Sequence, residues 1–71
     1  MPTPVTAPMV GKVLSLAANV GDEVQEDDTI IVMEAMKMEI EIVATASGRV
    51  SEIRVAPGDS VEPDSIVAVI E

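Results

Sequence analysis

Primary amines are scarce in this sequence. Lys12 and Lys37 are its two lysines, and Lys37 lies near the middle of the 71 residues, in the stretch Glu34-Ala35-Met36-Lys37-Met38-Glu39. A lysine amine does chemistry as an activated nucleophile in its own active site, or as an acceptor worked on by another enzyme. The first option needs a base, and the chain has no His, Cys or Tyr to provide one. Carboxylates alone favour the charged, unreactive form of an amine. The residues present therefore disfavour a nucleophilic site within the chain: if Lys37 has chemistry, another enzyme performs it. With no Cys and no His, disulfides and Cys/His metal sites are ruled out as well.

The flanking runs decide where such an amine would sit. Val32-Met33-Glu34 and Met38-Glu39-Ile40 read as adjacent strands, so Ala35-Met36-Lys37 and its neighbours form a hairpin turn. Short hairpins favour Asn-Gly or Asp-Gly, because the turn needs positive φ. Neither pair is present, and positive φ is costly for Met and Lys. Local rules break at functional sites more often than elsewhere. Met36 and Met38 break a second one by placing apolar side chains near an exposed tip. On spacing alone two readings stay open: a solvated lysine whose methionine neighbours fold back into the core, or an acceptor amine with apolar flanks.

The rest of the chain is suited to a rigid mount. Twelve Val and seven Ile stand against two Leu, with no aromatic residue. Branching at Cβ stiffens χ1 and favours pleated sheet. One domain is all that this length allows, with modest stability and a thin aliphatic core. Residues 1–7, within the Pro/Thr/Ala-rich start Met1–Pro8, read as a linker-like segment or edge strand, with the domain proper over 8–71. Gly11–Leu16, Thr29–Met33, Met38–Ile42, Arg49–Val55 and Ile66–Ile70 follow as strands. In the third of these Ile40 and Ile42 face inward, and Glu39 and Glu41 face water. Turns fall at Asn19–Asp22, Glu26–Asp28 and Ala44–Gly48. Pro57-Gly58 suits a type II turn, and Pro63-Asp64 is expected to make a type I turn.

An internal repeat underlies this pattern. Laying residues 1–34 on 38–71, an offset of 37, matches Gly11 with Gly48, Lys12 with Arg49 and Val13 with Val50. Gly21-Asp22 falls on Gly58-Asp59, Val24 on Val61, Asp27 on Asp64, Val32 on Val69 and Glu34 on Glu71. Two copies are too few for a solenoid. Four short strands per copy can instead bury their apolar faces as two facing sheets related by a pseudo-twofold. Residues 35–37 are left over as the connector, which puts Lys37 at the join.

Thirteen acidic residues against four basic ones give a formal net charge of −9. Phosphate repulsion then disfavours nucleic acid as a partner. The acids keep a small domain dispersed, or steer it to basic enzyme surfaces. No apolar run approaches the ~20 residues of a membrane span, and no signal-peptide pattern opens the chain, so direct membrane insertion is not expected. Cytoplasmic is the expected location.

Ala35-Met36-Lys37-Met38 resembles the biotin attachment motif of biotinyl domains, the carrier domains of biotin-dependent carboxylases, decarboxylases and transcarboxylases. Ala7–Gly11, Gly21-Asp22, Ser47-Gly48 and Gly58-Asp59 resemble that family's first segment and turns, so the likeness covers nearly the whole chain. It implies an all-β fold, a flattened barrel-sandwich hybrid of two four-stranded antiparallel sheets with pseudo-twofold symmetry, with the modified lysine on the hairpin between halves. It also implies a non-catalytic carrier. Lys37 would receive biotin in amide linkage from biotin protein ligase, attacking biotinyl-adenylate. The biotin would then shuttle a carboxyl group between biotin carboxylase and carboxyltransferase or decarboxylase active sites, where tethering raises its local concentration. Met36 and Met38 would offer soft apolar contact to these enzymes, with Ala35 and Glu34 supporting recognition of the motif. Glu34 and Glu39 either help to position the tip or are solvated strand-end acids. The halves align without insertion, so the protruding loop of some acetyl-CoA carboxylase carriers is not expected. Two rivals are a lipoyl-type carrier, which typically has Asp-Lys-Ala at this position, and an unmodified structural barrel-sandwich module.

Overall fold

A computed structural model describes residues 2–71. Eight strands follow in order: β1 (Thr3–Thr6), β2 (Gly11–Leu16), β3 (Glu23–Val24), β4 (Thr29–Ala35), β5 (Met38–Val43), β6 (Gly48–Ile53), β7 (Ser60–Val61) and β8 (Ile66–Ile70). They form two four-stranded antiparallel sheets, in the orders β1-β8-β6-β3 and β5-β4-β2-β7. This is the expected all-β sandwich of two sheets.

Alternation in the sequence places the side chains. Glu39 and Glu41 of β5 face water while Ile42 is buried and Ile40 packs against the core. In β4, Ile30 and Ile31 are both fully buried although adjacent, which strict alternation forbids. A register shift between Thr29 and Ile31 against β5 accounts for it, since the extra residue turns both side chains inward. No polar or charged side chain is buried among the described residues, so aliphatic packing alone holds the two sheets together.

The repeat is realised strand by strand. Adding 37 to β2 gives β6, and adding 37 to β3 gives β7. The hydrogen bonds follow: Gly21 N donates to Val50 O at 2.8 Å, and Gly58 N donates to Val13 O at 2.8 Å. Asn19 N donates to Asp22 Oδ2 and Ala56 N to Asp59 Oδ2, both at 2.9 Å. The halves do not each form one sheet, however. β3 of the first half pairs with β6 of the second, β7 pairs with β2, and β1 pairs with β8. Each sheet therefore mixes strands from both halves, and the two halves clasp rather than stack.

One turn differs from expectation. Ser65 N donates to Glu62 O at 3.0 Å, closing a turn over Pro63-Asp64, and Asp64 has φ of 70°. Positive φ at the third position makes this a type II turn, not type I. Asp27, its partner in the repeat, has φ of 76°. Both serve one purpose: Asp64 N reaches Ala7 O at 3.1 Å and Asp27 N reaches Ala44 O at 2.9 Å, tying each turn to the other half. That tertiary bond selects the left-handed conformation, which Asp tolerates better than most residues.

The ends of the molecule are distinct. β5 starts at the β4–β5 turn and finishes beside Ala44, and Gly48 follows after a short connection. A side chain on Gly48 would come 2.5 Å from Glu71 O, and Arg49 and Glu71 exchange backbone hydrogen bonds at 2.7 and 2.8 Å. Thr3 lies opposite Ile70. The start of β1 and the C-terminus therefore lie together, separated from the β4–β5 turn by the length of β5, about 17 Å at ~3.3 Å per residue. The molecule measures 32 × 18 × 18 Å, an elongated body with these two features at opposite ends.

Candidate functional site

The β4–β5 ladder is the longest in the molecule, running from Thr29 opposite Val43 to Ala35 opposite Met38. Two residues remain to turn the chain, Met36 at φ 53° and Lys37 at φ 66°. Positive φ at both central positions defines a type I′ turn, whose twist matches that of the flanking strands. Left-handed backbone costs an L-residue roughly 1–2 kcal/mol. The ladder behind the turn imposes it on residues that do not favour it.

Two small residues seat the tip. Ala35 is buried although it ends the strand, and it faces Gly11 at the start of β2. A Cβ on Gly11 would overlap the Met33 Cε and the Glu34 carbonyl oxygen and sit 3.2 Å from the Ala35 Cβ. The absence of that Cβ lets the end of β4 settle onto β2. At the base of the hairpin, Thr29 Oγ1 donates to Glu41 Oε1 at 2.7 Å.

The side chains named from the sequence are placed as follows. Lys37 is exposed, and the ion pairs among the described residues, Arg49–Glu23 and Arg54–Glu52, do not involve it. Met36 is 85% exposed and Met38 66%, while Met33, two residues before Ala35, is wholly buried. The methionines beside Lys37 thus do not fold back into the core. Glu34 and Glu39 are exposed and directly opposite each other, with Lys12 opposite Glu34 on its other side. Facing carboxylates repel and a facing ammonium offsets this, so the row Lys12, Glu34, Glu39 is a solvated charged band beneath the tip. Val10, 64% exposed, precedes Gly11 and adds apolar surface at this end. Sequence reasoning passed over the seating role of Gly11 and Ala35. Its one signal was the recurrence of glycine at 11 and 48, which marks a close backbone approach in each half.

Chemically, this arrangement holds a primary amine in water on a rigid two-residue tip. Among the described residues, no cluster of three or more His, Cys, Asp or Glu is arranged to hold a metal ion. An open concavity lined by Glu23, Val24, Gln25, Ser47, Gly48 and Arg49 lies at the end where Thr3 faces Ile70 and shares no residue with the tip.

Comparison with known proteins assigns the family. The model described as "Biotin-requiring enzyme", of the biotin/lipoyl group, matches residues 3–70. The chain belongs to this family, as a biotinyl domain. Biotin carboxyl carrier protein of Streptococcus mutans is 45% identical over 64 residues, 89% of this biotinyl domain and 49% of that protein. The domain therefore spans about half the length of that relative. The "Biotinylated protein TB7.3 homolog" of Mycobacterium leprae is 36% identical over 66 residues, 93% of each chain. In the crystal structure of Kluyveromyces lactis urea carboxylase, a segment that is 6% of that chain superposes on 100% of the biotinyl domain with a TM-score of 0.96 and 38% identity. Membership implies biotin as the covalently held cofactor. No helix among the described residues is long and apolar enough to cross a membrane.

Proposed function

We propose that Lys37 carries biotin in amide linkage and that the domain is the carboxyl carrier of a biotin-dependent carboxylase, performing no catalysis itself. The observation that carries this reading is the turn: two L-residues held in left-handed backbone, at some cost in stability, to present an exposed amine between two exposed methionines. Attachment joins Lys37 Nζ to the carboxyl carbon of biotinyl-adenylate, made from biotin and ATP in the active site of a biotin protein ligase, and breaks the bond from that carbon to the phosphate oxygen so that AMP leaves. The amine loses a proton and its charge, so the formal net charge moves from −9 to −10. A cofactor held by one bond at an open tip needs no pocket, and the geometry of the tip supports that mode of holding. The ureido nitrogen of attached biotin is the atom on which a carboxyl group is carried.

The chain's own residues orient the amine and do nothing to the carboxyl group. The β4–β5 ladder fixes its direction, Ala35 and Gly11 seat it, and Met36 and Met38 offer apolar contact to enzymes that receive it. Glu34 and Glu39 keep the tip hydrated between visits. The partners are the ligase, then biotin carboxylase and a carboxyltransferase or decarboxylase, and their setting is the cytoplasm. The lack of any His, Cys or Tyr supports a role without catalysis.

Incubation with biotin, ATP and a biotin protein ligase tests the reading. Intact mass is expected to rise by one biotinyl group, streptavidin to bind, and Lys37→Arg to abolish both. A mass gain that survives K37R would falsify the assignment, as would modification by a lipoyl ligase in place of the biotin enzyme.

A further inference from the structure

We propose that Met36 and Met38 are a peroxide-sensitive modification site whose oxidation closes Lys37 to its ligase. The second half of this inference rests on the reading of Lys37 given above. The sequence holds no Cys, His, Tyr or Trp, so methionine sulfur is the group that a hydroperoxide oxidises under mild conditions. Burial sorts the described methionines sharply. Met33 is wholly buried and Met9 is partly buried against the core, while Met36 and Met38 are open to solvent on either side of Lys37. Among the described residues, exposed methionine sulfur is thus concentrated at the tip, where on that reading the ligase docks.

The step balances without further reagents. A lone pair on Sδ attacks one oxygen of the hydroperoxide, an S–O bond forms and the O–O bond breaks. The other oxygen leaves as water or an alcohol after proton transfer. Sulfur is oxidised by two electrons and the peroxide is reduced by two. Reversal takes two electrons and two protons from a dithiol, which becomes a disulfide as water leaves, the chemistry of methionine sulfoxide reductases. The product is a polar, strongly hydrogen-bond-accepting group where a soft apolar one had been. Neither thioether is in the core, so oxidation here leaves the fold intact, whereas oxidation of Met33 would place a polar group between the sheets. An enzyme surface shaped for two thioethers would leave the sulfoxide oxygens unpaired on docking.

The test treats the full chain with graded hydrogen peroxide, maps sulfoxides by peptide mass spectrometry, follows thermal unfolding by circular dichroism and measures biotin incorporation by the ligase. Met36 and Met38 are expected to oxidise well before Met33, with the unfolding curve unchanged. Incorporation should fall roughly tenfold and recover after treatment with methionine sulfoxide reductase. The M36L/M38L variant, scaled to its own untreated rate, should lose nothing on exposure to peroxide. Oxidation of Met33 at the same pace, an unchanged rate for the oxidised tip, or an equal loss in M36L/M38L would each overturn the proposal. A chain that takes up no biotin before peroxide is added overturns the reading of Lys37 and the gate with it, and is told apart by that timing.

Discussion

Replacing Met36-Lys37 by Asn-Gly would give the β4–β5 turn the residues its backbone favours. Met36 and Lys37 both hold positive φ, and each L-residue there costs roughly 1–2 kcal/mol. The M36N/K37G variant is therefore expected to gain about 1–2 kcal/mol in urea unfolding, with an unchanged slope, and to accept no biotin. Lower stability would show that the turn is not under strain. At this scale the sequence was informative in one place and silent in another. Lys37 was conspicuous because a short hairpin turn without Asn or Gly conflicts with known turn chemistry. Asp64 was not, because Pro at the second position fits both turn types and Asp at the third favours type I. The Ala7 carbonyl that selects between them is distant in the chain and brought near only by the fold.

Gly11 in β2 and Gly21 in the turn before β3 separate two reasons for glycine. A Cβ on Gly11 would overlap the end of β4, whereas Gly21 has open space around it but φ of 96°. Gly11→Ala should cost about 1–3 kcal/mol by overpacking and shift the NMR amide signals of Ala35–Met38. Gly21→Ala should cost roughly 1–2 kcal/mol through its backbone and leave those signals in place. Undisturbed tip signals in G11A would show that β4 is seated by something other than close contact. Strands and turns were legible because inward valines and turn glycines recur at a fixed offset. Their neighbours were not: alternation tells which face a side chain takes, and nothing about which strand lies beside it. The exchange of β3 and β7 between halves, and the shift that buries Ile30 beside Ile31, both depend on pairing and lay beyond the reach of periodicity.

For the molecule as a whole, the formal charge of −9 is met by two ion pairs among the described residues, both on the surface. Such pairs contribute little, and like charges on a small body repel one another. Raising sodium chloride from near zero to ~0.15 M, where the Debye length is about 8 Å, should raise the thermal midpoint. A midpoint that falls or stays fixed would mean that attraction balances repulsion already. The excess of acid was plain from composition, but the placing of Glu34 and Glu39 in one row with Lys12 under the tip needed the register of three strands. The clasped halves carry one more implication. Met33 and Ile40 face each other across the β4–β5 hairpin, and their counterparts in the repeat, Ile70 and Thr3, face each other at the opposite end. A bridge from Ile70 to Thr3 as long as the six residues 34–39 would join the halves a second time, giving a ring with a hairpin at each end. The fold is in this sense a ring with two matching ends, of which one bears the Met36-Lys37 turn.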